Sequence, residues 1–282
     1  MMRSRASGDK PMGLSLRDFF PPAISKIYGR FLRRFGYFGD YSSWEEAMEL
    51  STGYDSERIL GKVRDSLLKV KRGEAEYERD SVLFDKVQYS WPLLTGLLWI
   101  ASQNGNRINL VDFGGSLGST YYQNRKFLSH LKEMRWNIVE QKSFVDCGKR
   151  EFENEHLRFH HELEECLLEP RPDTILFSSV IQYLERPYSL LGKVRSLGFE
   201  FLLFDRTTFI ESGEDRITLQ KVPPEIYDAS YPAWFFNREK FLGFFAADYE
   251  LVVEFDALAG AIPLGDRFGY DKGFIFRRRE AK

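Results

Sequence analysis

The sequence predicts an α/β fold: a mainly parallel, doubly wound sheet of seven strands with an antiparallel hairpin at its edge, preceded by an N-terminal helical extension. Three observations predict it. From residue 108 onward, short apolar runs alternate with helical patterns, the rhythm of repeated βαβ units. The first run ends Leu110-Val111-Asp112 and passes through Phe113-Gly114-Gly115-Ser116-Leu117-Gly118 into a polar-aromatic segment of helical character. That order presents a tight turn and a helix N-terminus at a strand end, where open α/β sheets bind nucleotide-like ligands. Finally, two late strand patterns, 250–255 and 273–277, follow the parallel set closely enough to pair as a hairpin.

Taken in order, residues 1–13 are small, polar and basic and read as a disordered lead. Residues 23–35 place Ile24, Ile27 and Phe31 on one helical face with Lys26, Arg30, Arg33 and Arg34 around it. One reading rests this basic helix on an anionic membrane surface; the other, which we take, packs it on the domain. Segment 43–101 reads as mostly helical, and 37–104 as a helical cap. Ser43 before Glu45 and Glu46 has the form of an N-cap with an acidic first turn. Leu60, Val63, Leu67 and Val70 recur at helical spacing up to Gly73. Further helices are expected over 82–89 and over 92–101, where Pro92 is tolerated in the first turn. In the alternating half, strands are expected at 108–112, 136–140, 157–160, 173–178 and 199–205. Helices are expected at 119–132, around 146–155 and at 187–197. Residues 105–282 are expected to form the ligand-binding α/β domain.

The composition narrows the function classes. The chain of 282 residues is 43% apolar and 29% charged, as expected of a globular protein with a sizeable core. A net charge of −2 argues against a general nucleic-acid binder. Residues 1–36 nevertheless carry +6 and the remainder −8. The two cysteines, Cys147 and Cys166, form no C-x-x-C pair, so neither a disulfide framework nor a metal site is expected. With no apolar run of membrane-spanning length and no secretory signal pattern, the expected location is the cytoplasm.

The turn after the first strand carries the cofactor argument. Gly114, Gly115 and Gly118 do not keep the G-x-G-x-x-G spacing of a dinucleotide fingerprint. An acid, an apolar residue and then Gly-x-Gly-x-Gly is similar instead to S-adenosylmethionine-dependent methyltransferases, with Ser116 at the middle glycine. In that reading the backbone of 114–118 lies against the methionine part of S-adenosyl-L-methionine. Asp112 holds its ammonium, directly or through water. Glu140 ends the second strand, 28 residues after Asp112, and is suited to accept hydrogen bonds from both ribose hydroxyls; Gln141 follows it beside the cofactor. His161 or Glu162 would meet the adenine edge. The adjacent His160 should point to the opposite face, so the histidine pair is unsuited to one metal. Ser178 and Ser179 fall at the end of the fourth strand, with Gln182 placed to face the methyl donor.

The resemblance extends further. Gly73-Glu-Ala-Glu-Tyr-Glu-Arg-Asp-Ser-Val-Leu-Phe, Tyr89-Ser-Trp-Pro-Leu-Leu, the 112–125 block and Gln220-Lys-Val-Pro-Pro are similar to a bacterial family of S-adenosylmethionine-dependent methyltransferases associated with surface-polysaccharide biosynthesis. The likeness covers about residues 37–276. It implies a Rossmann-like class I methyltransferase fold, whose layout is five parallel strands closed by an antiparallel pair. It also implies methyl transfer to a small-molecule or saccharide hydroxyl. Such an acceptor needs a base, and Asp205-Arg206 at the fifth strand's end suits base and orienting roles; a salt-bridged strand end is the equal alternative. Residues 227–249 are rich in aromatics. Phe241, Phe244 and Phe245 are expected in the core, and a turn from Tyr231 to Trp234 as an acceptor wall. Tyr77–Ser81 could close the site or simply start a solvated helix. Two other functions compete: a nicotinamide-dependent sugar oxidoreductase, disfavoured by the glycine spacing and the lack of a Tyr-x-x-x-Lys pair, and a non-catalytic binding protein.

Overall fold

The computed structural model describes residues 34–53, 56–168, 170–224, 226 and 228–280. The expected lead at 1–13 and nearly all of the basic helix at 23–35 lie outside these residues, as does Tyr227. The described chain begins with β1 (Gly36–Tyr41), α1 (Trp44–Glu49), α2 (Ser56–Arg72), β2 (Tyr77–Arg79), β3 (Val82–Phe84) and α3 (Trp91–Gln103). The alternating part follows as β4 (Arg107–Phe113), α4 (Ser119–Leu128), β5 (Glu133–Val139), α5 (Lys142–Glu151), β6 (Leu157–His160) and α6 (Leu163–Cys166). It continues with β7 (Thr174–Ser178), α7 (Pro187–Leu197) and β8 (Phe201–Ile210). Then come β9 (Arg216–Val222), β10 (Ala229–Asn237), α8 (Arg238–Phe245), β11 (Tyr249–Pro263) and β12 (Phe268–Arg278).

Strands β6, β5, β4, β7 and β8 lie side by side and parallel. Antiparallel β12 flanks β8, and β11 pairs with β12 beyond it. The expected Rossmann-like layout of five parallel strands closed by an antiparallel hairpin is therefore present. The sheet is larger than expected, however, with ten strands. Strands β1, β9 and β10 make an antiparallel arm, and β10 joins β8 in parallel through Phe236–Phe209 and Asn237–Ile210. β8 is long enough to serve both. Its first half pairs with β7 and its far end with β10.

Alternation along the strands divides the core. Ile108 and Leu110 face a cluster that includes Leu67, Leu97, Tyr121 and Trp136, under α2, α3, α4 and α5. Val111 faces the opposite cluster with Ile175, Phe177, Leu191, Phe204 and Phe241, under α6, α7 and α8. Burial of each such side chain contributes roughly 1.5–3 kcal/mol. Phe241 and Phe245 are buried core residues of α8, as expected, with Phe244 packed against them.

Several local expectations need correction. Residues 82–89 form no helix: Val82–Phe84 is a strand paired with Tyr77–Arg79. Asp80 and Ser81, both at positive φ, make the two-residue turn. Segment 37–104 accordingly mixes helices with strands. The helix after the glycine turn stops at Leu128, and the next one starts early, at Lys142. Tyr231 to Trp234 is part of β10 and no turn, with Pro232 opposite Leu219. Ser43 does cap α1, its hydroxyl accepting the Glu46 N–H at 3.2 Å.

Candidate functional site

A cavity of about 1540 Å³ opens at the C-terminal ends of the parallel strands. It brings together most residues singled out from the sequence: Gly114, Gly115, Ser116, Glu140, Gln141, His161, Glu162, Ser178, Ser179, Gln182, Asp205, Arg206 and Tyr231 all line it. Asp112, Gly118 and Trp234 do not.

The turn after β4 is shaped for close backbone approach. Gly114 (φ +70°) has Val180 Cγ2 only 2.3 Å from where a Cβ would stand. A Cβ on Gly115 would stand 2.6 Å from Asp112 Cγ. Ser116 also takes a left-handed φ of 54°, a conformation that costs a non-glycine residue energy. The Gly114 N–H donates to Val139 O at 2.9 Å, which ties the turn to the end of β5. Gly118, at φ +103°, donates to Gly115 O at 3.0 Å and caps α4. Its work is to close the turn, which explains its place outside the cavity.

Asp112 lies on the Leu110 face of β4, beneath Gly115, and is fully buried. Its Oδ2 accepts the Trp136 indole N–H at 2.9 Å, while Oδ1 has no partner. Burial pushes this carboxyl up to about 7, against the Trp136 hydrogen bond and the charge of Arg206. Glu140 stands across the turn and accepts the Gln141 N–H at 2.7 Å. Burial raises its pKa, while hydrogen bonds from the Gln141 and Ser116 backbone pull the other way. His160 turns away to Asn137 Oδ1, at 3.3 Å, and only His161 of the pair lines the cavity.

The second cluster sits where β7 and β8 end side by side, with Ser178 opposite Asp205. Asp205 is 2% exposed. Its Oδ1 accepts the Ser90 hydroxyl at 3.3 Å and its Oδ2 the Ser178 hydroxyl at 3.0 Å. Burial raises its pKa, and the neighbouring Arg206 charge and the two serine hydrogen bonds oppose that rise. Arg206 Nε lies 3.7 Å from Asp205 and Nη1 lies 3.9 Å from Asp80. Burial disfavours its charge, but the carboxylates of Asp80, Asp205 and Asp271 outweigh this and hold it protonated. The backbone here departs from regular strand geometry: Ser179 (φ 58°) and Arg206 (φ 52°) are both left-handed. Gln182 Nε2 donates to Arg206 O at 3.0 Å and holds that distortion in place, while its Oε1 is buried without a partner.

Trp234, expected beside Tyr231, points elsewhere. Its indole stacks on Trp44 with centroids 6.0 Å apart, and its N–H donates to Leu184 O at 2.9 Å. Alternation along β10 separates the two, because Tyr231 and Trp234 are an odd number of residues apart. Tyr231 instead meets Tyr183 edge-on at 5.3 Å.

The structure also supplies residues that sequence reasoning missed. Tyr37 of β1, Gln220 of β9 and Asp271 of β12 line the cavity from the arm and the hairpin. Asp271 accepts the Ala259 N–H at 2.9 Å, and burial pushes its pKa up to about 7. Glu78 lines it from the β2–β3 hairpin. An acid at an inward strand position opposite Thr208 was the available signal for Asp271. Glu78 belongs to the Tyr77–Ser81 stretch named as one that could close the site; the stretch does border the cavity, from a strand and its turn and not from a helix start.

No family model matches the sequence, and no curated protein does. Solved structures of similar shape exist, all distant in sequence. The N-terminal domain of EvdMO1, crystallised with SAH and D-fucose, is 12% identical with a TM-score of 0.47, covering 83% of this chain and 99% of its own. A type 11 methyltransferase from Sulfolobus solfataricus is 13% identical with a TM-score of 0.42, covering 70% and 96%. SAM-bound CalS10, an amino pentose methyltransferase from Micromonospora echinaspora, is 12% identical with a TM-score of 0.42, covering 68% and 92%. The fold assignment itself rests on strand order and direction.

Proposed function

We propose that this chain is an S-adenosyl-L-methionine-dependent methyltransferase that acts on a hydroxyl of a small-molecule or saccharide acceptor. One observation carries the reading: a left-handed glycine turn over a buried, unpartnered carboxylate oxygen opens into the same cavity as the Asp205–Arg206 pair. The residues present fit the cofactor. The 114–116 backbone can lie along its methionine part, Glu140 can accept from the ribose hydroxyls, and His161 and Glu162 border the adenine position. Bound there, the cofactor supplies a methyl group already activated by its sulfonium. The protein's task is then placement and proton removal.

Arg206 orients the acceptor and favours the ionised form of Asp205. Asp205 would accept the proton of the acceptor hydroxyl, leaving its oxygen as the nucleophile toward the methyl group the cofactor would supply. Gln182 acts as a positioning residue through the Arg206 backbone. Tyr37, Tyr183 and Tyr231 give the acceptor end aromatic walls. Gln182 and Gln220 also border this end of the cavity. Residues 37–104 share in this chamber, since Tyr37, Glu78 and Ser90 line it together with the 105–282 part. Titration calorimetry with S-adenosylmethionine, S-adenosylhomocysteine and NAD tests the reading. Binding of the first two without NAD is expected; NAD binding alone would overturn it in favour of an oxidoreductase.

A further inference from the structure

From the β2–β3 hairpin we infer that Glu78, and not Asp112, is the carboxylate that grips the α-ammonium of the methyl donor. This rests on the donor reading above and deepens it. The strand order β7-β4-β5-β6 fixes which way such a ligand must run. With the ribose at Glu140, after β5, and the adenine by His161 and Glu162, after β6, the amino-acid end lies over the turn after β4 and the start of α4. Asp112 cannot reach it there: it lines no part of the cavity and Gly115 lies over it, whereas Glu78, itself only 1% exposed, borders the cavity.

Glu78 approaches the same place from the cavity side. Its Oε2 accepts the hydroxyl of Ser119, the first residue of α4, at 2.6 Å, and its Oε1 accepts the Ser81 N–H at 2.6 Å. Gly114, Gly115, Ser116, Ser119 and Glu78 border one cavity. The hairpin is fastened to α4 by a second tie, since Gln123 Nε2 donates to the Tyr77 hydroxyl at 3.1 Å. Each Glu78 oxygen makes one hydrogen bond and keeps a lone pair for a donor. Burial holds this carboxyl up to about 7 in the free protein, so a bound ammonium would draw it into the ionised state. An amino acid bears opposite charges one carbon apart. Glu78 beside the N-terminal end of α4 offers a carboxylate for one and backbone N–H groups for the other.

The test compares two ligands that share the adenosine part. S-adenosylhomocysteine carries the amino-acid end, and 5′-methylthioadenosine lacks it. Both are titrated calorimetrically into the wild type, Glu78→Gln and Glu78→Asp. The glutamine amide can still accept from Ser81 and donate to Ser119, and circular dichroism checks that the variants fold. In Glu78→Gln, S-adenosylhomocysteine affinity should fall by about tenfold or more, as for loss of a hydrogen bond to a charged group. Affinity for 5′-methylthioadenosine should stay within about twofold, since it has no ammonium to lose. Glu78→Asp, which keeps the charge but withdraws it, should fall between for the first ligand and leave the second unchanged. An equal loss for both ligands would make Glu78 structural and overturn the inference, as would no loss for either. Wild-type protein that binds neither ligand would overturn the donor reading itself and this inference with it.

Discussion

Replacing Asp112 by Asn should change how stability depends on pH, and the size of the change follows from the site. Asp112 is completely enclosed, with one oxygen on Trp136 and the other on nothing. Burial raises its pKa from the ordinary 3.8 to about 7 in the fold. A carboxyl that binds its proton more tightly in the fold stabilises fully below its unfolded pKa, and that stability drains away as pH rises to the folded value. For these two values the loss between pH 5 and pH 8 is about 2–3 kcal/mol. Asn cannot ionise. Its oxygen can keep the Trp136 bond, and its amide left under Gly115 without an acceptor costs about 1–3 kcal/mol, equally at every pH. The variant should therefore gain about 2–3 kcal/mol of stability relative to wild type between pH 5 and pH 8. Urea unfolding followed by tryptophan fluorescence at pH 5, 6.5 and 8 measures the difference. A stability difference that stays constant over this range, or moves in favour of wild type as pH rises, would refute the reasoning.

Other expected outcomes are as direct. Gly115→Ala drives a Cβ to 2.6 Å from Asp112 Cγ and should cost about 1–3 kcal/mol of stability and weaken S-adenosylhomocysteine binding; chemical denaturation and calorimetry report both. Glu140→Ala should reduce affinity for S-adenosylhomocysteine and for adenosine alike, by about tenfold or more, because both carry the ribose. Asp205→Asn should lower methyl transfer by about a hundredfold or more while leaving S-adenosylhomocysteine affinity nearly unchanged; parallel loss of binding would remove Asp205 from the role of base. Trp234→Phe forfeits the hydrogen bond to Leu184 and should lower the unfolding free energy by about 1 kcal/mol without altering the acceptor KM.

The part of the cavity at the ends of β4 and β5 was legible because its residues are local. Strand, acid, glycine turn and helix are consecutive in the chain, and the end of the next strand, at Glu140, followed from the fold. The opposite walls were not, because they come from β1, β9, β10 and the far part of the β11–β12 hairpin, which meet only through long-range pairing. The β2–β3 hairpin was hidden for a different reason. Val82, Leu83, Phe84 and Val87 are compatible with a helical face, and the Asp80–Ser81 turn adopts positive φ without the glycine that usually announces it. Tyr231 to Trp234 misled through Pro232, which suggests a turn but stands within a paired strand. Asp112 was identified correctly as the strand-end acid; period-two alternation with Leu110 would have shown that it points into the core.

The long fifth parallel strand has a meaning beyond its length. Because β8 exchanges one neighbour for another along its course, Asp205 and Arg206 stand at a fork in the sheet, between the parallel strands and the antiparallel arm. Residues 211–236 could thus be lengthened, shortened or transplanted while Ser178 and Ser90 still seat the Asp205 carboxylate. Evolution, or an engineer, can retarget such a protein by swapping the branch and leaving the trunk alone.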